Sequence, residues 1–313
     1  MSFATISQPL QCIVSFQSLR SRASATGRRR VAIVVAEDEI ALAAAHDALR
    51  LDIAIPVLIG DPKKIRALAA SMSVDLEGVA IVEALTPEAA AHIATAMARK
   101  GEVDILLKGH LRTDQLLHAV LDKTAELRTG RLLSDVLLYE DTLAGSRRLV
   151  AITDGGLNVA PTLAQKREIV INAIEVLHAI GIARPKIAIM SATESVSDGV
   201  PSTVDAKALT EMGARGEFGE AEVFGPLALD NALLRSAADA KGITSPVAGF
   251  ADCMVAPNIE AGNLLGKAVR YLGGSQCAHV VVGAKVPILI PSRVESADDK
   301  VNAIALGAIY AGR

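Results

Sequence analysis

Four short segments hold most of the side chains that could do chemistry, and each follows an apolar run. They are 108–113 (Lys-Gly-His-Leu-Arg-Thr), 153–158 (Thr-Asp-Gly-Gly-Leu-Asn), 191–194 (Ser-Ala-Thr-Glu) and 291–300 (Pro-Ser-Arg-Val-Glu-Ser-Ala-Asp-Asp-Lys). Open α/β sheets bind ligands at strand C-terminal ends. Cations, hydroxyls and helix N-termini gathered at such ends are what a phosphate site needs. Other signatures are missing. No GxGxxG follows a strand-like run and no GxxxxGK[ST] exists, so neither a dinucleotide fingerprint nor P-loop chemistry is supported. GxSxG and HExxH are absent as well. The histidines (His46, His92, His110, His118, His178, His279) lack metal-ligand spacing, and no bound metal is expected. Four of them, His46, His92, His118 and His178, fall in helical stretches, whereas His110 follows a strand end and is a candidate to line the site.

These segments need a scaffold, and the pattern after Arg30 supplies one. Apolar runs at Val31–Ala36, Ile55–Ile59, Val79–Val82 and Ile105–Leu107 alternate with helical stretches at Ile40–Arg50, Pro62–Ser71, Pro87–Lys100 and Thr113–Lys123. That alternation is the signature of βαβ units. Val136–Tyr139 and Arg148–Ile152 flank a polar turn and read as a hairpin. A second block follows: helix Leu163–Ile180, strand Ile187–Met190, helix Thr203–Met212, strand Ala221–Phe224 and helix Leu229–Ala240. Strand Cys253–Val255, helix Ala261–Leu272, strands Val280–Val282 and Ile288–Ile290, and helix Ala297–Tyr310 complete the chain. With 313 residues, more than one core usually holds, two α/β domains with a cleft between them are expected.

Composition narrows the function. Apolar residues make up 51% and aromatic residues only 3%, with no Trp, which suits buried strands under Ala-rich helices and not base-stacking surfaces. A net charge of −3 leaves no polybasic footprint for nucleic acid or membrane, and no apolar run is long enough to span a bilayer. Cys12, Cys253 and Cys277 are odd in number and form no CxxC, so a reducing, cytoplasmic setting is expected. Residues 1–30 contain no Asp or Glu and end in Arg28, Arg29 and Arg30. They read as a leader helix or linker, with a transit peptide as the alternative.

Taken together, several motifs make the chain resemble the phosphotransacetylase/phosphotransbutyrylase family, and its butyryl-type branch most closely, from about Arg30 to the C-terminus. They include Leu107-Lys108-Gly109, the stretch 127–134 (Leu-Arg-Thr-Gly-Arg-Leu-Leu-Ser), Ile152-Thr153-Asp154 and 225–232 (Gly-Pro-Leu-Ala-Leu-Asp-Asn-Ala). Further on come 245–249 (Ser-Pro-Val-Ala-Gly), 255–263 (Val-Ala-Pro-Asn-Ile-Glu-Ala-Gly-Asn), 282–285 (Val-Gly-Ala-Lys) and Ser292-Arg293. The resemblance implies a two-domain α/β fold like that of isocitrate and isopropylmalate dehydrogenases, a homodimer, and reversible acyl transfer between coenzyme A and phosphate. It implies domains at 31–152 plus 287–313 and at 153–286, the second carrying the dimer contact. CoA and acyl-CoA enter as substrates, with phosphate and acyl phosphate, and no cofactor is tightly bound.

The same resemblance transfers a catalytic Ser-Arg pair and a following Asp onto Ser292, Arg293 and Asp299. Lys108, Gly109, Thr113, Arg128, Ser134, Asp154 and Lys285 are the substrate-binding candidates. The sequence departs from the family pattern at three places: Leu117 stands near an expected arginine, Asp135 follows Ser134 where a His is common, and 154–156 is Asp-Gly-Gly in place of Asp-Ala-Ala. The implied hard step is attack of the CoA thiolate on the acyl phosphate carbonyl. With pKa values of roughly 3.9 for Asp and about 8.5 for a thiol, proton transfer to Asp299 is uphill by ~6 kcal/mol. Desolvation of the base or a cation near the sulfur must narrow that gap. Arg293 would stabilise the oxyanion, with Ser292 as a donor. Spacing alone equally makes Ser296 to Asp299 a capping box, and Asp154 and Asn158 could cap the next helix. Asn263 reads as a cap or packing residue at a helix start. Two rivals remain: a metal-dependent NAD(P) hydroxy-acid dehydrogenase of the same fold class, and a non-catalytic acyl-CoA-binding protein.

Overall fold

The computed structural model describes residues 12–143, 147–292 and 295–313. Its strands form one mixed sheet in the order β3-β2-β1-β4-β11-β10-β5-β6-β9-β7-β8. The N-terminal part is parallel: β1 (Arg29–Val34), β2 (Ala54–Gly60), β3 (Ala80–Glu83) and β4 (Ile105–Lys108), with β11 (Ile288–Leu289) returning beside β4. Crossover helices α2 (Glu39–Arg50), α3 (Pro62–Ser71) and α4 (Pro87–Arg99) join these strands. Each starts where the sequence supplies a cap, at Asp38, Asp61 and Thr86, and Pro62 and Pro87 occupy the first turn, where the missing N–H costs nothing.

The centre of the sheet is antiparallel. Strand β5 (Ser134–Asp141) pairs with β6 (Arg148–Thr153) in the expected hairpin, and on its other side with β10 (Cys277–Val282). Beyond β6 the sheet is parallel again through β9 (Cys253–Val255), β7 (Lys186–Met190) and β8 (Glu222–Leu227). Helices cover both faces. Alternate strand residues Val136, Leu138, Ala278 and Val280 pack under α6 (Leu163–Ala179) and α11 (Ala297–Ala311), which is buried along nearly its whole length. The opposite face meets α4 and α5 (Thr113–Leu121) on one half, and α10 (Ile259–Lys267) on the other.

Several boundaries differ from the sequence expectation for local reasons. The stretch 229–240 is two short helices, α8 (Leu229–Leu233) and α9 (Arg235–Ala240), because Leu234 is extended between them. Helix α10 starts earlier than expected, capped by Asn258, and widens into a π turn over 268–272. Helix α7 (Pro201–Ala214) starts two residues earlier than expected, at Pro201, and ends two later. Of the first thirty residues, 1–11 lie outside the described ones. Helix α1 (Phe16–Ala25) buries Phe16, Leu19 and Ala23 against the main core, and Arg29 and Arg30 already belong to β1. No helix among the described residues is long and apolar enough to cross a membrane.

Candidate active site

The pleat of the antiparallel centre decides which side chains meet. Successive strand residues face opposite ways, so Asp135 and Leu137 of β5 share a face. Across the ladders, Ile152 and His279 both stand opposite Leu137, and Cys277 opposite Tyr139. Helix α10 covers this face at a distance set by glycines. A Cβ on Gly155 would lie 2.8 Å from the Gly262 carbonyl carbon, and one on Gly262 would lie 2.5 Å from the Asp154 carbonyl oxygen. Those positions admit only glycine at this backbone separation. Asn263 Nδ2 then donates to the Gly155 carbonyl (3.0 Å), tying helix to loop. Between sheet and helix lies a cavity of about 260 Å³ whose walls include Leu137, Ile152, Ile290, Ser292, Arg270 and His279.

The π turn after α10 carries Arg270 to the start of β10, at the end of the central strands. Its Nη2 donates to Asp299 Oδ2 at 2.7 Å, and Nη1 to the Ser275 carbonyl. Asp299 is fully buried and takes further hydrogen bonds from the Cys277 backbone N–H (3.0 Å), the Ser296 N–H (3.2 Å) and the Ser296 hydroxyl (2.7 Å). Ser296 Oγ in turn accepts from the Asp299 N–H, which completes the capping box of α11. Asp299 therefore lies beneath the cavity wall with both oxygens engaged, and it presents Arg270 to the space above. The Cys277 thiol is inert there, since burial, with Asp299 and Glu295 nearby, pushes its pKa up to about 12.

A second charged group lies on the same wall. His279 Nδ1 is 3.0 Å from Asp135 Oδ2, and its Nε2 is 3.6 Å from Glu295 Oε1. Burial alone would lower the imidazole pKa. The field of Asp135, Glu295 and Asp299 overcomes that and raises it to about 9, so the ring is cationic at neutral pH. Glu295 is only 6% exposed, and burial lifts its carboxyl above the ordinary range against the pull of His279. The carboxyl of Asp154 is raised as well, by burial and by Asp135.

The sequence candidates are distributed as follows. Ser292 and Thr113 border the cavity, as do Gly155 and Gly156 of the loop that Asp154 organises. Arg293 lies outside the described residues. Asp154 caps no helix; it accepts from the Gly156 and Leu157 N–H groups and from Asn158 Nδ2, while Thr162 caps α6. Lys108 is buried, with its Nζ donating to the Leu111 carbonyl, and Gly109 packs against the backbone of Val35. Ser134 is buried and accepts from Asn172 Nδ2. Arg128 borders a separate cavity of about 400 Å³ with Asn158, and Lys285 is exposed. His110 is exposed and not on the main cavity wall. The segment 191–194 bonds elsewhere, through Ser191 to Ser202 and Glu194 to Asn231. Asn263 sits inside α10, not at its start. A wider cavity, about 790 Å³, lies by α1, where Arg20 pairs with Asp298 and Arg147 with Glu140.

Sequence reasoning passed over Arg270, His279, Glu295 and the structural use of Asn263. One signal was available for His279. Asp135 stands where the resembled family commonly has His, and the neighbouring strand supplies an imidazole to that same spot. Among the described residues no group of three or more His, Cys, Asp or Glu converges as a metal site would.

Comparison with known proteins gives a consistent picture. The family model described as phosphate acetyl/butaryl transferase matches residues 15–92 and 86–308. The chain is 41% identical over 276 residues to a phosphate acetyltransferase of Rhizobium meliloti, covering 88% of this chain and 87% of that protein. It is 38% identical over 300 residues to a phosphate butyryltransferase of Clostridium acetobutylicum, covering 96% and 99%. A branched-chain phosphotransacylase from Enterococcus faecalis V583 superposes with a TM-score of 0.80 at 31% identity, over 90% of this chain and 99% of that one. A 4-hydroxythreonine-4-phosphate dehydrogenase from Klebsiella pneumoniae shares the fold, with a TM-score of 0.56 at 12% identity over 92% and 100%.

Proposed function

The chain belongs to the phosphate acetyl/butaryl transferase family, and on that footing we propose that it moves a short acyl group reversibly between coenzyme A and inorganic phosphate. One observation carries the assignment to this cavity: the Arg270 guanidinium, held by a fully buried carboxylate, faces a space that also offers the Ser292 hydroxyl and an apolar wall of Leu137, Ile152 and Ile290. A cation fixed by a buried partner is pre-organised, so it stabilises developing charge without reorganising during the reaction. The CoA sulfur attacks the acyl carbonyl carbon. Negative charge gathers on the carbonyl oxygen and then leaves on phosphate, within reach of Arg270 and Ser292. The apolar wall receives the acyl chain. Arg293, next to Ser292 in sequence, completes the expected Ser-Arg pair.

The wider assignment is that 31–152 with 287–313 forms one domain and 153–286 the other, that the enzyme is a cytoplasmic homodimer, and that CoA is a substrate and not a resident cofactor. The exposed Leu264 and Leu272 on and after α10 supply apolar surface suited to a dimer contact. The dehydrogenase rival has no support in the relatives named by sequence, which are phosphate acyltransferases, and the dehydrogenase structure at 12% identity shares the fold alone. The test is thiol consumption by the purified chain with CoA and acetyl, propionyl and butyryl phosphate, beside an NAD(P) reduction assay with hydroxy acids. Thiol loss dependent on acyl phosphate supports the proposal; CoA binding without any transfer would replace it with a binding protein.

A further inference from the structure

Resting on the acyl-transfer proposal, one question is which group takes the thiol proton. The acceptor must face the cavity, keep a lone pair free for the incoming proton, and have a carboxyl pKa closer to that of a thiol. Asp299 meets these conditions poorly. It is fully buried, four donors engage its two oxygens, and one of them is a guanidinium that stabilises its anion. Glu295 meets them better. It borders the cavity, two residues on from the Ser-Arg pair; among the described residues its charged partner is His279 Nε2 at 3.6 Å, beyond hydrogen-bond distance, and one backbone N–H, that of Ser292, reaches its carboxyl, which leaves lone pairs open.

We propose that Glu295 accepts the proton of the CoA thiol, steadied by His279 and Asp135, and that Asp299 acts through Arg270 as a positioning residue. The balance is simple. The S–H bond breaks and its proton passes to a Glu295 oxygen. The sulfur electron pair forms the new bond to the acyl carbon, and the C–O bond to phosphate breaks as phosphate departs. In the reverse direction protonated Glu295 returns the proton to the leaving thiolate. His279 remains an imidazolium throughout. Pinned by Asp135 on one nitrogen and facing Glu295 with the other, it fixes where the glutamate points. Burial also raises the Glu295 carboxyl above the ordinary range, which narrows the gap to a thiol.

The test follows the pH dependence of turnover in the direction that consumes CoA thiol. The charged groups around Glu295 among the described residues are His279 on β10, Asp135 on β5 and Asp299 on α11, with Lys267 at the end of α10 and Arg270 after it lining the same cavity. Glu295→Gln should lower kcat by at least about 10²-fold, leave the CoA KM little changed and abolish the acidic limb of the profile. Glu295→Asp should keep that limb at reduced turnover, which separates lost chemistry from lost folding. Asp299→Asn should be slower than wild type yet retain the limb. Near-normal turnover in Glu295→Gln, or an acidic limb that vanishes in Asp299→Asn and persists in Glu295→Gln, overturns the proposal. A wild-type chain inert toward every acyl phosphate defeats the acyl-transfer assignment instead.

Discussion

Replacing Asp299 with Asn should cost far more stability than removing the cap it belongs to. The carboxylate is fully buried and pairs with Arg270 at 2.7 Å. Deleting one partner of a buried ion pair costs ~3–5 kcal/mol, because the other charge is left without compensation. The Arg270 side chain is 26% exposed, so water relieves part of that penalty and the lower end, ~3 kcal/mol, applies. The isosteric Asn also turns an amide N–H₂ toward donors that previously met an oxygen. At about 2 °C per kcal/mol for a chain of this size, Tm should fall by roughly 6 °C. Ser296→Ala removes the capping hydroxyl but leaves the Arg270 pair intact, and should cost ~1 kcal/mol, or roughly 2 °C. Both are read by calorimetry and by urea midpoints on one preparation. Equal losses in the two variants would refute the claim that Asp299 anchors Arg270, and would leave it a helix cap.

Other consequences are as direct. The folded His279 pKa of about 9 exceeds the unfolded value, so its stabilisation is complete below about pH 6.5 and is lost as pH rises through 9. His279→Gln should flatten that alkaline decline by on the order of 2 kcal/mol in urea unfolding at pH 6 and pH 9; parallel curves would contradict the pairing with Asp135. Gly262→Ala would put a methyl group 2.5 Å from the backbone oxygen of Asp154, and should cost ~1–3 kcal/mol and depress kcat/KM as the cavity wall shifts. Gly266→Ala meets only the movable Leu137 Cδ1, at 3.1 Å, and should be milder on both readouts.

Local patterns carried much of this fold. The capped starts of α2, α3, α4 and α11, and the buried runs of β1 and β4, are visible as residue types at the right spacing. What failed were places where tertiary contact overrides local preference. Helical residues at 229–240 are split by an extended Leu234, and the π turn over 268–272 looks like ordinary helix in sequence. The loops that border the candidate cavity, at Ser292 and at 153–158, stand out in sequence as polar strand ends. The site was hidden where it depends on pairing between distant strands. His279 and Asp135 are 144 positions apart, and only the register of β5 with β10 brings them together. Arg270 was hidden by the same cause, since nothing near it in sequence announces Asp299 as its partner.

The most direct test compares the wild-type chain with Arg270→Gln, following thiol disappearance under saturating CoA and butyryl phosphate. If the anchored guanidinium stabilises the charge of the transition state, kcat should drop by about 10²-fold or more while the protein remains folded. Transfer at an undiminished rate without that guanidinium would contradict the mechanism at its centre.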